Sequence, residues 1–171
     1  MAQASRAQLQ QWFSAVDTDG SGRITAPELQ KALSPSGLVF SLAAVAQMIR
    51  LHDADNSGSI SLDEFGALHT FLSNMRASFA HFDVDRSGEL DLNEVHQSLT
   101  RAGFQLDQHA FYATVKAFDP DRNGKLGEPE FIAMTLFLQS AKGIFTSFDP
   151  TGTGTVSLDF PKFVFAAAST R

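Results

Sequence analysis

The sequence predicts an all-α protein of eight helices in a single domain spanning residues 1–171, with short two-stranded ribbons between paired loops. Three observations carry that prediction. A twelve-residue acidic stretch recurs, starting at Asp17, Asp53, Asp83, Asp119 and, in weaker form, Asp149. The starts lie alternately 36 and 30 residues apart, so the repeating unit is a pair, and internal repetition of this kind sets the fold before local propensity does. Between the stretches, apolar residues recur at threes and fours, the period of one helix face.

Taken in order, a helix over about 3–16 leads into the first stretch, Asp17–Glu28. A short helix over 26–33 follows and is stopped by "SPSGLVFS", where Pro35 and Gly37 break it. A helix over 41–52 leads into the second stretch, Asp53–Glu64. The shorter interval then leaves eighteen residues, enough for one uninterrupted helix of roughly 27 Å at about 1.5 Å per residue. This is the helix over 62–82, with Phe65, Leu68, Phe71, Leu72, Met75, Phe79 and Phe82 on one stripe. The third stretch, Asp83–Glu94, opens a helix over 92–101 that ends at "TRAGFQLD" with Gly103. Helices over 107–118 and 128–148 flank the fourth stretch, Asp119–Glu130. A last helix over 158–168 follows the fifth, Asp149–Phe160.

Composition limits the classes open to this chain. Apolar residues are 43% and Phe alone numbers 16, a composition for a packed core. No apolar run approaches the ~20 residues of a membrane span. The N-terminal "MAQASRAQLQ" has no apolar segment of a secretory signal and begins Met-Ala, not the Met-Gly of a myristoylation site. Without Cys there is no disulfide and no thiolate ligand, which points to a reducing, cytoplasmic location. The net charge is -6, and fourteen of the nineteen acids sit at loop positions considered next. Clusters so dense repel themselves unless a cation lies among them.

Calcium takes six to eight oxygen ligands, and a twelve-residue loop can supply them from positions 1, 3, 5, 7, 9 and 12. In the first loop these are Asp17, Asp19, Ser21, the Arg23 carbonyl, Thr25 and Glu28. In the second they are Asp53, Asp55, Ser57, the Ser59 carbonyl, Ser61 and Glu64. In the third they are Asp83, Asp85, Ser87, the Glu89 carbonyl, Asp91 and Glu94. In the fourth they are Asp119, Asp121, Asn123, the Lys125 carbonyl and Glu130, with Gly127 leaving position 9 to water. Position 7 binds through its backbone, so its side chain is free to vary. Position 6 turns the chain at positive φ and is Gly in all five loops. Position 8 is apolar in all five (Ile24, Ile60, Leu90, Leu126, Val156) and suits a ribbon between neighbouring loops.

Ordinary polar turns would explain the capping sequences Thr25–Glu28 and Ser61–Glu64. They would not explain paired Asp, central Gly and apolar eighth residue together in four loops. The third loop, with four acidic ligands, is expected to bind tightest; the fourth, with Gly127 and Pro129, weakest. The fifth has Thr151, Thr153 and Ser157 in place of stronger ligands and Phe160 in place of the final Glu, so it is expected to stay empty.

The spacing and motifs such as "FDVDRSGELDLNEV" and "TRAGFQLD" resemble the penta-EF-hand family, most of all its apoptosis-linked calcium adaptor group. The resemblance covers nearly the whole chain. In the fifth hand, the first apolar residue after the loop is Phe163, as if two residues were inserted before the last helix. The resemblance implies that hands one and two pair, that three and four pair, and that the fifth joins a second copy of the chain. The homodimer surface would be Val156, Phe160, Phe163, Val164 and Phe165. It also implies a calcium sensor that exposes apolar surface and binds partner proteins, including Pro-rich segments. His69 and Met75 stand where the adaptor group carries tryptophans near its peptide pocket, so the partners are expected to differ.

Two other roles compete: regulatory subunit of a calcium-dependent cysteine protease, and passive calcium buffer. The histidines His52, His69, His81, His96 and His109 show no zinc spacing, and neither a phosphate loop nor a nucleophile elbow is present, so no enzyme activity is expected. Nucleic acid is not an expected partner. Four bound ions would move the formal charge from -6 to about +2, which favours calcium-dependent association with anionic membranes.

Overall fold

The computed structural model describes residues 4–170, so residue 3 and the Met-Ala terminus lie outside them; within them the first helix starts at Arg6, later than expected, because Ser5 caps it by accepting the Gln8 N–H. Eight α-helices occur among these residues: α1 Arg6–Val16, α2 Ala26–Leu33, α3 Leu42–His52, α4 Leu62–Phe82, α5 Leu92–Arg101, α6 Gln108–Phe118, α7 Glu128–Phe148 and α8 Phe160–Ser169. The four helices that leave the first four loops begin and end where the sequence places them. Their start is set by the ninth loop residue (Thr25, Ser61, Asp91, Gly127), which holds the extended cap conformation.

The differences are at other ends. Ser41 and Asp107 cap α3 and α6 from outside, each side chain accepting the N–H three residues on, so these helices begin one residue later than expected. For the same reason α8 begins at Phe160 and not 158: its cap is Asp159. The break after α2 is a single 3-10 turn, Ser34–Ser36, closed by Gly37 at φ +84°.

Two antiparallel links tie the loops in pairs. Strands β1 (Glu89–Leu90) and β2 (Leu126–Gly127) set Leu90 opposite Leu126. In the first pair Ile24 N–H donates to the Ile60 carbonyl (2.8 Å), and Ile60 N–H returns to the Ile24 carbonyl (2.9 Å). All four position-8 side chains are fully buried, so each loop is pinned to the core by its own apolar residue. Among the described residues Val156 joins no such link.

The pinned residues merge with Met48, Leu68, Val95, Ile132 and Met134 in a single core. Two long helices organise it. α4 leaves the second loop and enters the third; α7 leaves the fourth and enters the fifth, and contacts α3, α4, α6 and α8. By length and composition α7 could cross a membrane, a correction to the reading that no apolar run approaches that length. In this fold its apolar face (Phe131, Ile132, Met134, Leu136, Leu138) is the core. Helix α8 differs from the rest. It docks on α7, with Phe165 edge-on to Phe148 (6.4 Å between centroids), yet none of its residues is buried. Phe160, Phe163, Val164 and Phe165 are exposed, Phe160 to 76%.

Candidate metal centre

All five loops share one frame, built around the first aspartate. Its two carboxylate oxygens accept the N–H groups of positions 5 and 6. In the first loop, Ser21 N–H reaches Asp17 Oδ1 (3.0 Å) and Gly22 N–H reaches Oδ2 (2.9 Å). Asp53, Asp83 and Asp119 are held in the same way. So is Asp149, through Thr153 and Gly154 (2.9 and 2.6 Å), which gives it a structural role in a loop whose other ligand positions carry no acid. Position 6 turns at φ between +75° and +81° in every loop. Position 4 also adopts positive φ, even at Asn56, Arg86 and Arg122, a strained choice for non-Gly residues that loop periodicity alone does not announce.

The last glutamate closes the loop from the other side. It is the third residue of the exiting helix, and one of its oxygens accepts the N–H of position 9. Thr25 N–H donates to Glu28 Oε2 (3.0 Å), and the corresponding bonds to Glu64, Glu94 and Glu130 are 2.8, 3.0 and 2.8 Å. The other oxygen accepts from position 2: Thr18 to Glu28 (3.0 Å), Ala54 to Glu64 (2.8 Å) and Val84 to Glu94 (3.1 Å). In the fourth loop position 2 is Pro120, which has no N–H to give.

The carboxyl chemistry follows these donors. The Thr25 hydroxyl and N–H pull Glu28 down to about 2, and the Ser61 N–H and hydroxyl lower Glu64. Glu130 moves the opposite way, because burial outweighs its single backbone bond to Gly127. The hydroxyls of Ser21 and Ser87 lower Asp19 and Asp85, and that of Ser57 is the largest cause holding Asp55 at about 2.

Asp17, Asp19 and Glu28 each place a carboxylate oxygen within 4.8 Å of the others, and Asp53, Asp55 and Glu64 do the same. Three convergent hard oxygens, with a hydroxyl and a carbonyl alongside, form a donor set of the kind Ca2+ takes. Among the described residues, the third and fourth loops bring no three carboxylates so close. In the third, Asp91 turns its carboxylate to the N–H groups of Asn93 and Glu94 as the cap of α5, and a fourth negative charge adds to repulsion within the loop. In the fourth, Asn123 is drawn by Glu89 of the third loop (3.1 Å). The fifth loop has shifted register: with Asp159 as cap, the third helical residue is Lys162, a cation where the others carry Glu.

One group lies where sequence reasoning left it free. The side chain of Arg23, position 7 of the first loop, crosses the ribbon and enters the second loop.

A family profile described as an EF-hand domain pair matches residues 6–68 and again 72–136. The chain is 36% identical over 159 residues to zebrafish (Danio rerio) peflin, covering 92% of itself and 59% of that protein. It thus spans little more than half of that relative's length. It is 31% identical over 157 residues to penta-EF hand domain-containing protein 2 of Dictyostelium discoideum, covering 92% of itself and 76% of that protein. In structure it is similar to a homolog of programmed cell death 6 protein from Leishmania major Friedlin, with a TM-score of 0.75 and 38% identity over 97% of this chain and 95% of that one. Paired loops, the unpaired fifth hand and these likenesses agree: this calcium-binding chain belongs to the penta-EF-hand family, in the group of programmed cell death 6 protein.

Proposed function

We propose that the protein is a cytoplasmic calcium sensor whose loaded form presents apolar surface to partner proteins, and that it works as a homodimer joined through α8. The supporting observation is the place of the loop-closing glutamates. Glu28, Glu64, Glu94 and Glu130 each stand in the first turn of a helix whose apolar face belongs to the shared core. A glutamate that leaves its backbone bonds and swings onto an ion takes its helix with it, so loading is read by the core and not by the loop alone.

In this reading the first two loops bind through Asp17, Asp19, Ser21, the Arg23 carbonyl and Glu28, and through Asp53, Asp55, Ser57, the Ser59 carbonyl and Glu64. The third uses Asp83, Asp85, Ser87, the Glu89 carbonyl and Glu94. The fourth uses Asp119, Asp121, Asn123, the Lys125 carbonyl and Glu130. Thr25, Ser61 and Asp91 act at position 9 directly or through water. When bound, Ca2+ supplies the positive charge that offsets each cluster. Partners are peptide segments, Pro-rich ones among them, and the loaded protein approaches anionic membranes more readily because its charge has risen.

Calorimetric titration with Ca2+ tests the site assignment. Wild type should take four ions, and Glu28→Ala, Glu64→Ala, Glu94→Ala and Glu130→Ala should each lose one, the last from the weakest class. A hydrophobic dye should brighten on loading. Heat without a dye response would make the protein a buffer, and absence of heat would end the reading. A purified chain that runs as a monomer would instead favour service as one half of a heterodimer, such as a protease regulatory subunit.

A further inference from the structure

Position 7 of an EF-hand loop offers its carbonyl, and its side chain takes no part in coordination. In this protein the side chain at position 7 of the first loop is an arginine, and its guanidinium lies inside the second loop. Arg23 Nε donates to Ser59 Oγ (2.7 Å). Nη2 donates to both oxygens of Asp55 (3.0 Å each), to the Ser57 hydroxyl and to the Ser59 carbonyl (3.4 Å). The same nitrogen is 3.8 Å from Glu64 Oε2. These are positions 3, 5, 7 and 12 of the second loop, four of the six that a calcium ion would use. Planar, always charged and forked, a guanidinium suits such an oxygen set as no lysine does.

The other loops show that the arrangement is particular. Asp17, Asp19 and Glu28 of the first loop have no ion-pair partner among the described residues. In the second pair the position-7 residues are Glu89 and Lys125, and they meet each other, Lys125 Nζ lying 4.0 Å from Glu89 Oε2. Arg23 meets Ser59, which takes Nε but brings no charge, and the guanidinium reaches past it to the carboxylates.

We propose that Arg23 is a tethered internal cation for the second hand, and that this hand accepts Ca2+ only as the guanidinium withdraws. The proposal rests on the calcium reading above. Its consequence is an order of filling. The first loop is open, and the Arg23 carbonyl belongs to it. The second is occupied by the first loop's side chain and fills later. One residue, with its backbone in one site and its charge in the other, links the two.

The test is a Ca2+ titration of the full chain followed by NMR, reading the position-6 amides Gly22, Gly58, Gly88 and Gly124 as reporters of the four loops. In wild type the Gly58 midpoint should lie at higher Ca2+ than that of Gly22. Arg23→Met keeps the length of the stem and removes the charge; it should lower the Gly58 midpoint by roughly ten- to a hundredfold, the scale of losing competing charge-assisted hydrogen bonds. Gly88 and Gly124 should stay where they were. In chelator the same variant should melt at a lower temperature than wild type, since the metal-free second loop has lost its cation. Opposite signs in those two readouts separate displacement from mere damage. Arg23→Lys, a point charge without the fork, should fall between. An unchanged or raised Gly58 midpoint in Arg23→Met would overturn the proposal and leave the calcium reading intact. If no amide responds to Ca2+ in wild type, both fall.

Discussion

Glu130 lacks a donor that the other three loop-closing glutamates share. Thr18, Ala54 and Val84 each give an N–H to their glutamate, and Pro120 cannot. Glu130 also lacks the position-9 hydroxyl that is the largest cause of the lowering at Glu28, and its own rise comes first from burial. Pro120→Ala restores the N–H. It should lower the carboxyl pKa of Glu130, read by NMR in metal-free protein, and, as one more bond the glutamate must leave to reach the ion, weaken the fourth site by about tenfold, the low end for a hydrogen bond to a charged group. The pH dependence of the metal-free protein follows from the same bonds. Glu28 is depressed from its ordinary 4.5 to about 2, so its contribution to stability is present above 4.5 and is lost as the pH falls toward 2. Glu130 is raised, so its burial penalty appears as the pH climbs through its folded value. Protons therefore compete harder at the fourth loop, and calcium titrations repeated at falling pH should lose that site first. At this scale the sequence is most readable where a position has a single role, as with the paired Asp, the central Gly and the closing Glu. It is least readable where a side chain acts outside its own loop. Nothing local to "DTDGSGRITAPE" places Arg23 among residues of a loop 36 positions on, because that contact exists only once the ribbon has formed.

Helix boundaries after the loops are legible because the ninth loop residue both ends the calcium motif and caps the next helix. Boundaries before the loops are less so, since Ser41 and Asp107 read equally well as first residue or as cap until the backbone shows an extended ψ. The fifth hand is the clearest gain from structure. The sequence puts Phe160 at position 12; the helix register puts Lys162 in the equivalent place and leaves Asp149 with a purely architectural role. Replacing Asp149 with Ala should lower the melting temperature without altering the number of ions bound, a pairing that calorimetry of both kinds can check. The ribbon elements carry a larger load. Ile60 is fully buried and completes the bridge to Ile24, so Ile60→Ala should cost about 2–5 kcal/mol in denaturant unfolding, the range for large-to-small changes in a core.

Over the molecule as a whole, exposed large apolar side chains such as Val39 and Val84 are scattered, but on α8 four of them lie within six residues. Phe163 and Phe165 are 58% and 63% exposed, beside an eighth-position residue, Val156, that has no ribbon partner among the described residues. If that face joins two copies, Phe163→Asp should convert the dimer to a monomer in light scattering while leaving calcium stoichiometry unchanged. The long helices give the whole its mechanical character. α4 and α7 are each 21 residues, roughly 30 Å of continuous rod, and each is shared by two hands. A tilt of about 10° at the first turn of such a rod displaces its far end by about 5 Å. Torque applied at Glu64 thus arrives at Asp83, and torque applied at Glu130 arrives at the seam beneath α8. If loading tilts a shaft as proposed above, a change of occupancy at one end is answered at the other, even by a hand that holds no metal at all.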